Sequence, residues 1–296
     1  MGSKVWTSTP PNTPTIENYV DLEQRGSVSV NTPPTIAQNS TQYRIDDVSH
    51  TFPGTDIEAL KNVSIDITPG SFISFIGPSG CGKSTLLNAM AGLLEPSDGQ
   101  ILLNGAPVDG PPEGVGIMFQ KATLLPWRTT LQNVLLPIEL RDGAKVAQAH
   151  TDDAMSIIKT VGLEGFENAY PGELSGGMAQ RAAICRMLIT EPDVLLLDEP
   201  FGALDELTRE RMDLELQSIA SSRNATVVLV THSIPEAVFL SDTVYAMSAR
   251  PGRISEVIEV GLPRPRDMET LNHPDFGKYV SRVRTALNKG HGVNDD

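Results

Sequence analysis

The sequence predicts an α/β fold: a core with a mostly parallel sheet, an antiparallel β subdomain on its N-terminal side and a helical insertion. Three observations carry this. Short apolar runs at residues 72–76, 193–198 and 226–231 have the length and composition of strands buried on both faces. Each is followed by a segment of helical character, at 84–91, 207–219 and 235–240, and such alternation builds parallel sheets with right-handed crossovers. Residues 131–161 then keep a helical period throughout, with Leu131, Val134, Leu135, Ile138, Met155, Ile157, Ile158 and Val161 supplying apolar faces, which marks an insertion rather than more sheet.

Residues 1–40 are rich in Thr, Pro, Ser and Asn without a sustained apolar period, and read as a flexible extension. Order is expected to begin near residues 43–48, followed by a turn at 52–54, an alternating strand at 63–67 and the turn Pro69-Gly70. The strand at 71–76 feeds the glycine-rich stretch 77–85, and a helix-forming run leads from Ser84 to a stop at Gly92. Residues 99–105 read as a strand closed by the Asn104-Gly105 turn, and 115–119 as a buried strand. Residues 172–177 interrupt the helical insertion and start a new helix over 178–188, while 244–247 and 253–258 suggest further strands. A Pro-led basic segment, 264–289, has helical character; it packs on the domain or lies near a membrane surface, and packing is the reading favoured. The domain organisation expected is an extension over 1–40, a main domain over 41–265 with a helical subdomain at about 125–190, and a tail over 266–296.

With 296 residues, of which 40% are hydrophobic, the chain is long enough for a large core. Its net charge of −14 argues against broad nucleic-acid binding, which needs a basic face. Two cysteines, Cys81 and Cys185, are too few for a disulfide framework and lack metal-ligand spacing, so reduced thiols in the cytosol are expected. No run approaches 18 apolar residues and the first residues lack a signal-peptide core; action at a membrane would need another chain to span it.

The stretch 77–85 comprises Gly77, Pro78, Ser79, Gly80, Cys81, Gly82, Lys83, Ser84 and Thr85 and fits the pattern of a nucleoside-triphosphate phosphate loop. The chemistry accounts for the residue types. Glycines let backbone N–H groups wrap phosphates, the Lys83 ammonium neutralises the terminal ones, and the Ser84 hydroxyl ligates Mg²⁺. A chain of this length matches by chance about once in a hundred, and the strand before and helix after lower that further. The core is therefore expected to be of the P-loop NTPase type. Asp198 and Glu199 follow the apolar run 194–197, which puts both carboxylates at the carboxyl edge of a core strand, where ligands bind in such sheets. There Asp198 suits Mg²⁺ and Glu199 a general base that activates water. Ser175, Gly176 and Gly177 at a helix start offer a hydroxyl, unhindered N–H groups and the positive end of a helix dipole, all suited to a γ-phosphate.

The phosphate loop, Gln120, residues 174–181, the strand into Asp198-Glu199, residues 201–205 and His232 occur in the order found in ATP-binding-cassette ATPases. The resemblance covers about residues 41–265. It implies that Phe52, where tyrosine is commoner, stacks on the adenine of ATP, that Gln120 senses Mg²⁺ and a transmembrane partner, and that His232 contacts the γ-phosphate and holds the attacking water. It further implies that Ser175, Gly176, Gly177 and Asp205 face the ATP of a second copy, so the active unit is a head-to-tail homodimer. Ala179 is small where a longer polar residue is common in the family, which touches only peripheral contacts.

Residues 120–134, with 247–253, resemble the subfamily of bacterial importers for nitrate, sulfonates, taurine, bicarbonate and related solutes. The apolar, Trp-bearing segment 124–129 either packs on the helical insertion or forms part of a groove for a membrane subunit. The resemblance implies an ATPase on the cytoplasmic face of the membrane, with permease subunits contacting residues near 120–128, a solute-binding protein acting indirectly, and no nucleic acid. Two other readings are a cassette protein of DNA repair or translation, and a small-molecule kinase. The first needs a long coiled coil or two cassettes in one chain, and the second does not account for residues 175–177.

Overall fold

The computed structural model describes residues 41–290; the expectations for 1–40 and for 291–296 fall outside the described residues. The antiparallel sheet comes first. β1 (Tyr43–Thr51) pairs with β2 (Glu58–Ile67), and after the first helix β4 (Asp98–Leu103) and β5 (Ala106–Pro107) complete a four-stranded sheet of order β2-β1-β4-β5. The second strand starts five residues before the expected 63–67. Asp47 and Asn62 both take positive φ where the β1–β2 register shifts, and Asn62 Nδ2 donates to Asp47 Oδ1 at 2.7 Å. This bulge breaks the alternation that marks a strand in sequence.

The second sheet uses β3 (Phe72–Ile76), β6 (Val115–Met118), β7 (Val194–Asp198), β8 (Thr226–Thr231), β9 (Thr243–Met247) and β10 (Ile254–Glu259), in the order β10-β9-β3-β8-β7-β6. All neighbours are parallel except β10, which runs antiparallel to β9 at the edge. Period-2 geometry divides each apolar run between two cores. Ile73, Phe75, Leu196, Val228 and Val230 face one side, where α1 (Lys83–Met90) lies between the two sheets. Phe72, Ile76, Leu195, Leu197, Val227 and Leu229 face the other, under the remaining helices. The buried Tyr43 hydroxyl donates to Met90 O at 3.0 Å, tying β1 to a carbonyl that α1 cannot satisfy at its end.

The helical insertion contains α2 (Thr130–Asp142), α3 (Ala144–Ala149), α4 (Thr151–Thr160) and α5 (Gly176–Leu188). Thr129 and Gln132 form a reciprocal capping box at the start of α2. Buried Asn133 donates to the carbonyls of Leu125, Arg128 and Thr129, and its Oδ1 accepts from Leu125 N–H, so the segment 124–129 is a fixed loop. Leu124 packs against the core while Trp127 stands 69% exposed.

Then follow α6 (Glu206–Arg223), α7 (Ile234–Leu240) and α8 (Phe276–Gly290). The expected boundary after residue 265 falls inside a packed region. Arg266 is 3% exposed; its Nη1 donates to the carbonyls of Val238, Phe239 and Ser241 at the end of α7, and its Nη2 to those of Val260 and Leu262. A cation at a helix C-terminus is favourable there. Phe276, Val283 and Ala286 then bury one face of α8 against the domain. The basic composition of this segment thus serves a buried contact as well as the surface.

Behind α7, Asp213 and Glu236 are both buried, and Asp213 Oδ1 has no partner among the described residues. Burial first, and then the neighbouring Glu236, push the Asp213 carboxyl from 3.8 up to about 8. Between those two values the folded chain binds the proton and the unfolded chain does not, so stability falls as pH rises through the window. Asp213→Asn should be more stable than the parent at pH 9, by a gap in melting temperature that grows from about pH 4 to pH 8 and then levels off; a gap that does not vary with pH would overturn this assignment. Arg266→Met should cost about 3 kcal/mol or more in denaturant unfolding, because it strands buried carbonyls; a cost near zero would show that those carbonyls find other donors.

Candidate functional site

The phosphate loop begins where β3 ends. Gly82, the residue before α1, has φ 98° and no side-chain cap, so the first N–H groups of α1 remain open to an anion. A Cβ at Gly82 would stand 2.6 Å from Ala59 O and 2.7 Å from Leu60 Cδ2, so only glycine fits. Lys83 is 7% exposed, and its ammonium donates to Gly77 O at 2.8 Å and Pro78 O at 2.9 Å. Two residues of the motif differ from the expectation that they face a ligand directly. Pro78 has no N–H and uses its carbonyl to hold Lys83, and Cys81 turns its thiol into the core with its N–H directed at Pro78 O.

The carboxylates come from the next strand but one. Asp198 ends β7, with the Ser84 hydroxyl and the Lys83 ammonium among the groups that act on its carboxyl. Burial raises its pKa, a shift that the Ser84 hydroxyl opposes and the Glu199 charge adds to. Glu199 takes φ 48°, a left-handed conformation rare for a residue with a side chain, and its N–H donates to Val230 O at 2.9 Å. Gln120 Nε2 donates to Glu199 Oε2 at 2.9 Å, and His232 Nδ1 lies 3.5 Å from the same oxygen. His232 is placed by the turn after β8: the Thr231 hydroxyl donates to buried Glu236 and accepts from Ser233 N–H at 3.0 Å.

Lys83, Ser84, Gln120 and Glu199 line a cleft of about 400 Å³, and His232 lines a smaller space that shares Glu199 with it. Ser79, Gly80, Gly82, Lys83, Ser84 and Thr85 form the floor of the cleft, Gln120 and Glu199 close one end, and Phe52 stands on its wall. Phe52 is 39% exposed and packs edge-on to His50 at 5.0 Å, leaving ring surface that can stack on a flat group. The structure therefore brings nine sequence-derived positions into the cleft, Phe52, Ser79, Gly80, Gly82, Lys83, Ser84, Thr85, Gln120 and Glu199, with His232 beside Glu199 and Asp198 next to Glu199 in the chain.

Ser175, Gly176, Gly177 and Asp205 do not line this cleft. Ser175 caps α5, its hydroxyl accepting from Met178 N–H at 3.3 Å, and Asp205 caps α6, accepting from Thr208 N–H at 3.0 Å. The two caps are neighbours, since a Cβ on Gly177 would meet Leu204 Cδ2 at 2.7 Å. Gln180 links them to the cleft: its Nε2 donates to Gln120 O and its Oε1 accepts from Ala203 N–H, both at 3.2 Å. Sequence reasoning passed over Gln180, although a glutamine on an otherwise apolar helix face is a usable signal. Arg250, a further residue of the cleft wall, gave no such signal.

The family profile described as ABC transporter matches residues 60–202. The chain is 49% identical over 248 residues to the taurine import ATP-binding protein of Rhizobium johnstonii, covering 82% of this chain and 92% of that one. It is 44% identical over 230 residues to the aliphatic sulfonates import ATP-binding protein of Bacillus subtilis, covering 78% and 87%. A solved ATP-binding cassette, dimeric and bound to ADP and phosphate in a post-hydrolysis state, superposes with a TM-score of 0.66 at 31% identity, covering 74% of this chain and 98% of the other. On these matches and on the site just described, the chain belongs to the ATP-binding proteins of the ABC transporter family.

Proposed function

We propose that this chain is the ATP-hydrolysing subunit of a membrane importer for a small anion or organic solute of the sulfonate, taurine or nitrate type. The observation that carries the reading is the convergence of Gln120 and His232 on one oxygen of Glu199, beside a cleft floored by the phosphate loop. The solute class is supported by the taurine and sulfonate importers named among the relatives.

In this reading Phe52 stacks on adenine, while Lys83 and the open N–H groups at the start of α1 hold the phosphates. The donor set fits Mg²⁺. Asp198 is a half-buried carboxylate whose titration the Ser84 hydroxyl influences, Gln120 supplies an amide oxygen, and a hard cation takes oxygen ligands of this kind together with phosphate oxygens. Bound there, the ion would neutralise charge on the phosphates. Glu199 accepts a proton from the attacking water as general base, and His232 holds that water in place. Gln120 joins the base to the loop that continues into residues 124–128.

Because Ser175, Gly176, Gly177 and Asp205 lie off their own chain's cleft, they suit the nucleotide of a second copy in a head-to-tail homodimer. The dimeric state of the solved cassette supports this. The exposed Trp127, on the fixed loop of the helical subdomain at about 125–190, suits contact with the permease subunits. No described helix is long and apolar enough to cross a membrane, in keeping with a peripheral subunit on the cytoplasmic face that serves a solute-binding protein only through the permease. The acidic net charge favours this over a nucleic-acid partner.

Glu199→Gln should lower steady-state ATP hydrolysis by about 100-fold or more while ATP affinity stays near parental; turnover within a few-fold of the parent would remove Glu199 from the base role. Hydrolysis per chain should also fall on dilution. A rate per chain that stays constant down to a verified monomer would refute the shared site.

A further inference from the structure

We propose that Arg250 is a nucleotide-contacting residue whose guanidinium, fixed by the carbonyl of Gly80, presents a second cation beside Lys83 to the polyphosphate chain in the cleft. This rests on the nucleotide reading above. Arg250 Nε donates to Gly80 O at 2.7 Å, its one hydrogen bond among the described residues. A Cβ on Gly80 would lie 2.8 Å from Arg250 Nη2, so the guanidinium covers this glycine of the loop. The side chain shares the cleft wall with Phe52, above a floor that includes Lys83 and Ser84.

The backbone that presents Arg250 is itself anchored to β2 and lies against the loop. Gly252 N–H donates to Ala59 O and Lys61 N–H to Gly252 O, each at 3.0 Å, and Ser248 N–H closes the turn on Arg253 O at 3.0 Å. A Cβ on Gly252 would come 1.9 Å from Cys81 O, so the turn 248–253 lies flat against the phosphate loop. Residues 248–253 thereby brace the loop from outside, and Arg250 is the member of the brace that reaches the cleft.

Charge and geometry together favour a phosphate ligand. Lys83 and Arg250 are the cations of the cleft lining, and the Lys83 ammonium already divides its donors among loop carbonyls. A guanidinium held at Nε keeps its Nη donors in a planar fork, which matches phosphate oxygens and loses little further freedom on binding. The ligand class this selects is a nucleoside di- or triphosphate over the monophosphate, because a cation over Gly80 serves the phosphates beyond the first.

The test uses the full-length chain with Arg250→Gln and Arg250→Lys. Competition against a fluorescent ATP analogue, with Mg²⁺ present, reads affinities for ATP, ADP and AMP, and thermal unfolding without nucleotide serves as control. Arg250→Gln should weaken ATP by about tenfold or more and leave AMP near parental, and Arg250→Lys should recover only the part of the ATP affinity that charge carries, because lysine lacks the planar fork. Unchanged ATP affinity in Arg250→Gln would overturn the proposal. So would an equal loss for ATP, ADP and AMP that Arg250→Lys does not recover, since that is the signature of a brace without a ligand contact. A parental chain that binds no ATP would instead overturn the nucleotide reading, and this inference with it; the ratio of ATP to AMP affinity separates either result from a general loss of fold.

Discussion

A parallel sheet buried on both faces constrains everything else in this molecule. β3, β7 and β8 give alternate side chains to two separate cores, and between the strand ends the one polar side chain is Ser74, closed off on Ser241. Polar groups can act only where the strands end, and the register puts those ends at one level: Ile76 pairs with Thr231, and Asp198 with Val230. Gly77, Glu199 and His232 each follow directly from such an end. The site is thus a product of strand register before it is a product of any side chain. Its local cost is the left-handed backbone at Glu199, on the order of 1–3 kcal/mol, which the bond from its N–H to Val230 O helps to offset.

Features written into one continuous stretch were legible in the sequence. The phosphate loop and the Asp198-Glu199 pair stand immediately beyond an apolar run, so their positions follow from strand ends, while His232, also at a strand end, was singled out only through the family resemblance. The early half of β2 was not legible, because the bulge at Asp47 and Asn62 replaces alternation with turn-like residues. Arg266 misleads in another way: arginine is a surface residue by composition, and only the fold shows that the end of α7 gathers backbone carbonyls around it. Motif membership overstated Pro78 and Cys81, whose types suit holding the loop in shape more than meeting a ligand. Arg250 lies in the stretch 247–253 that carried the subfamily resemblance, but its place in the cleft was beyond reach, since its bond to Gly80 spans 170 residues of sequence.

Acidic groups lie close behind the cleft. Glu236 accepts from Thr231, and Asp213, Glu236 and Arg209 line a second cavity of about 160 Å³ on the far side of the turn that carries His232. Burial raises the pKa of both carboxyls, and like charge adds to each shift, from Glu236 at Asp213 and from Glu199 at Glu236.

Gln180 has a mechanical consequence. Its amide is 5% exposed, with one end on the Gln120 carbonyl and the other on the Ala203 amide. A turn of α5 about its own axis would strain both bonds together, and a polar group left unpaired at so buried a residue is costly. The loop after β6 and the loop before α6 are therefore geared to each other through a single side chain. Glutamate would lose the donor end of that gear and leucine both, so the amide is the one side chain of this length that keeps the two loops in step.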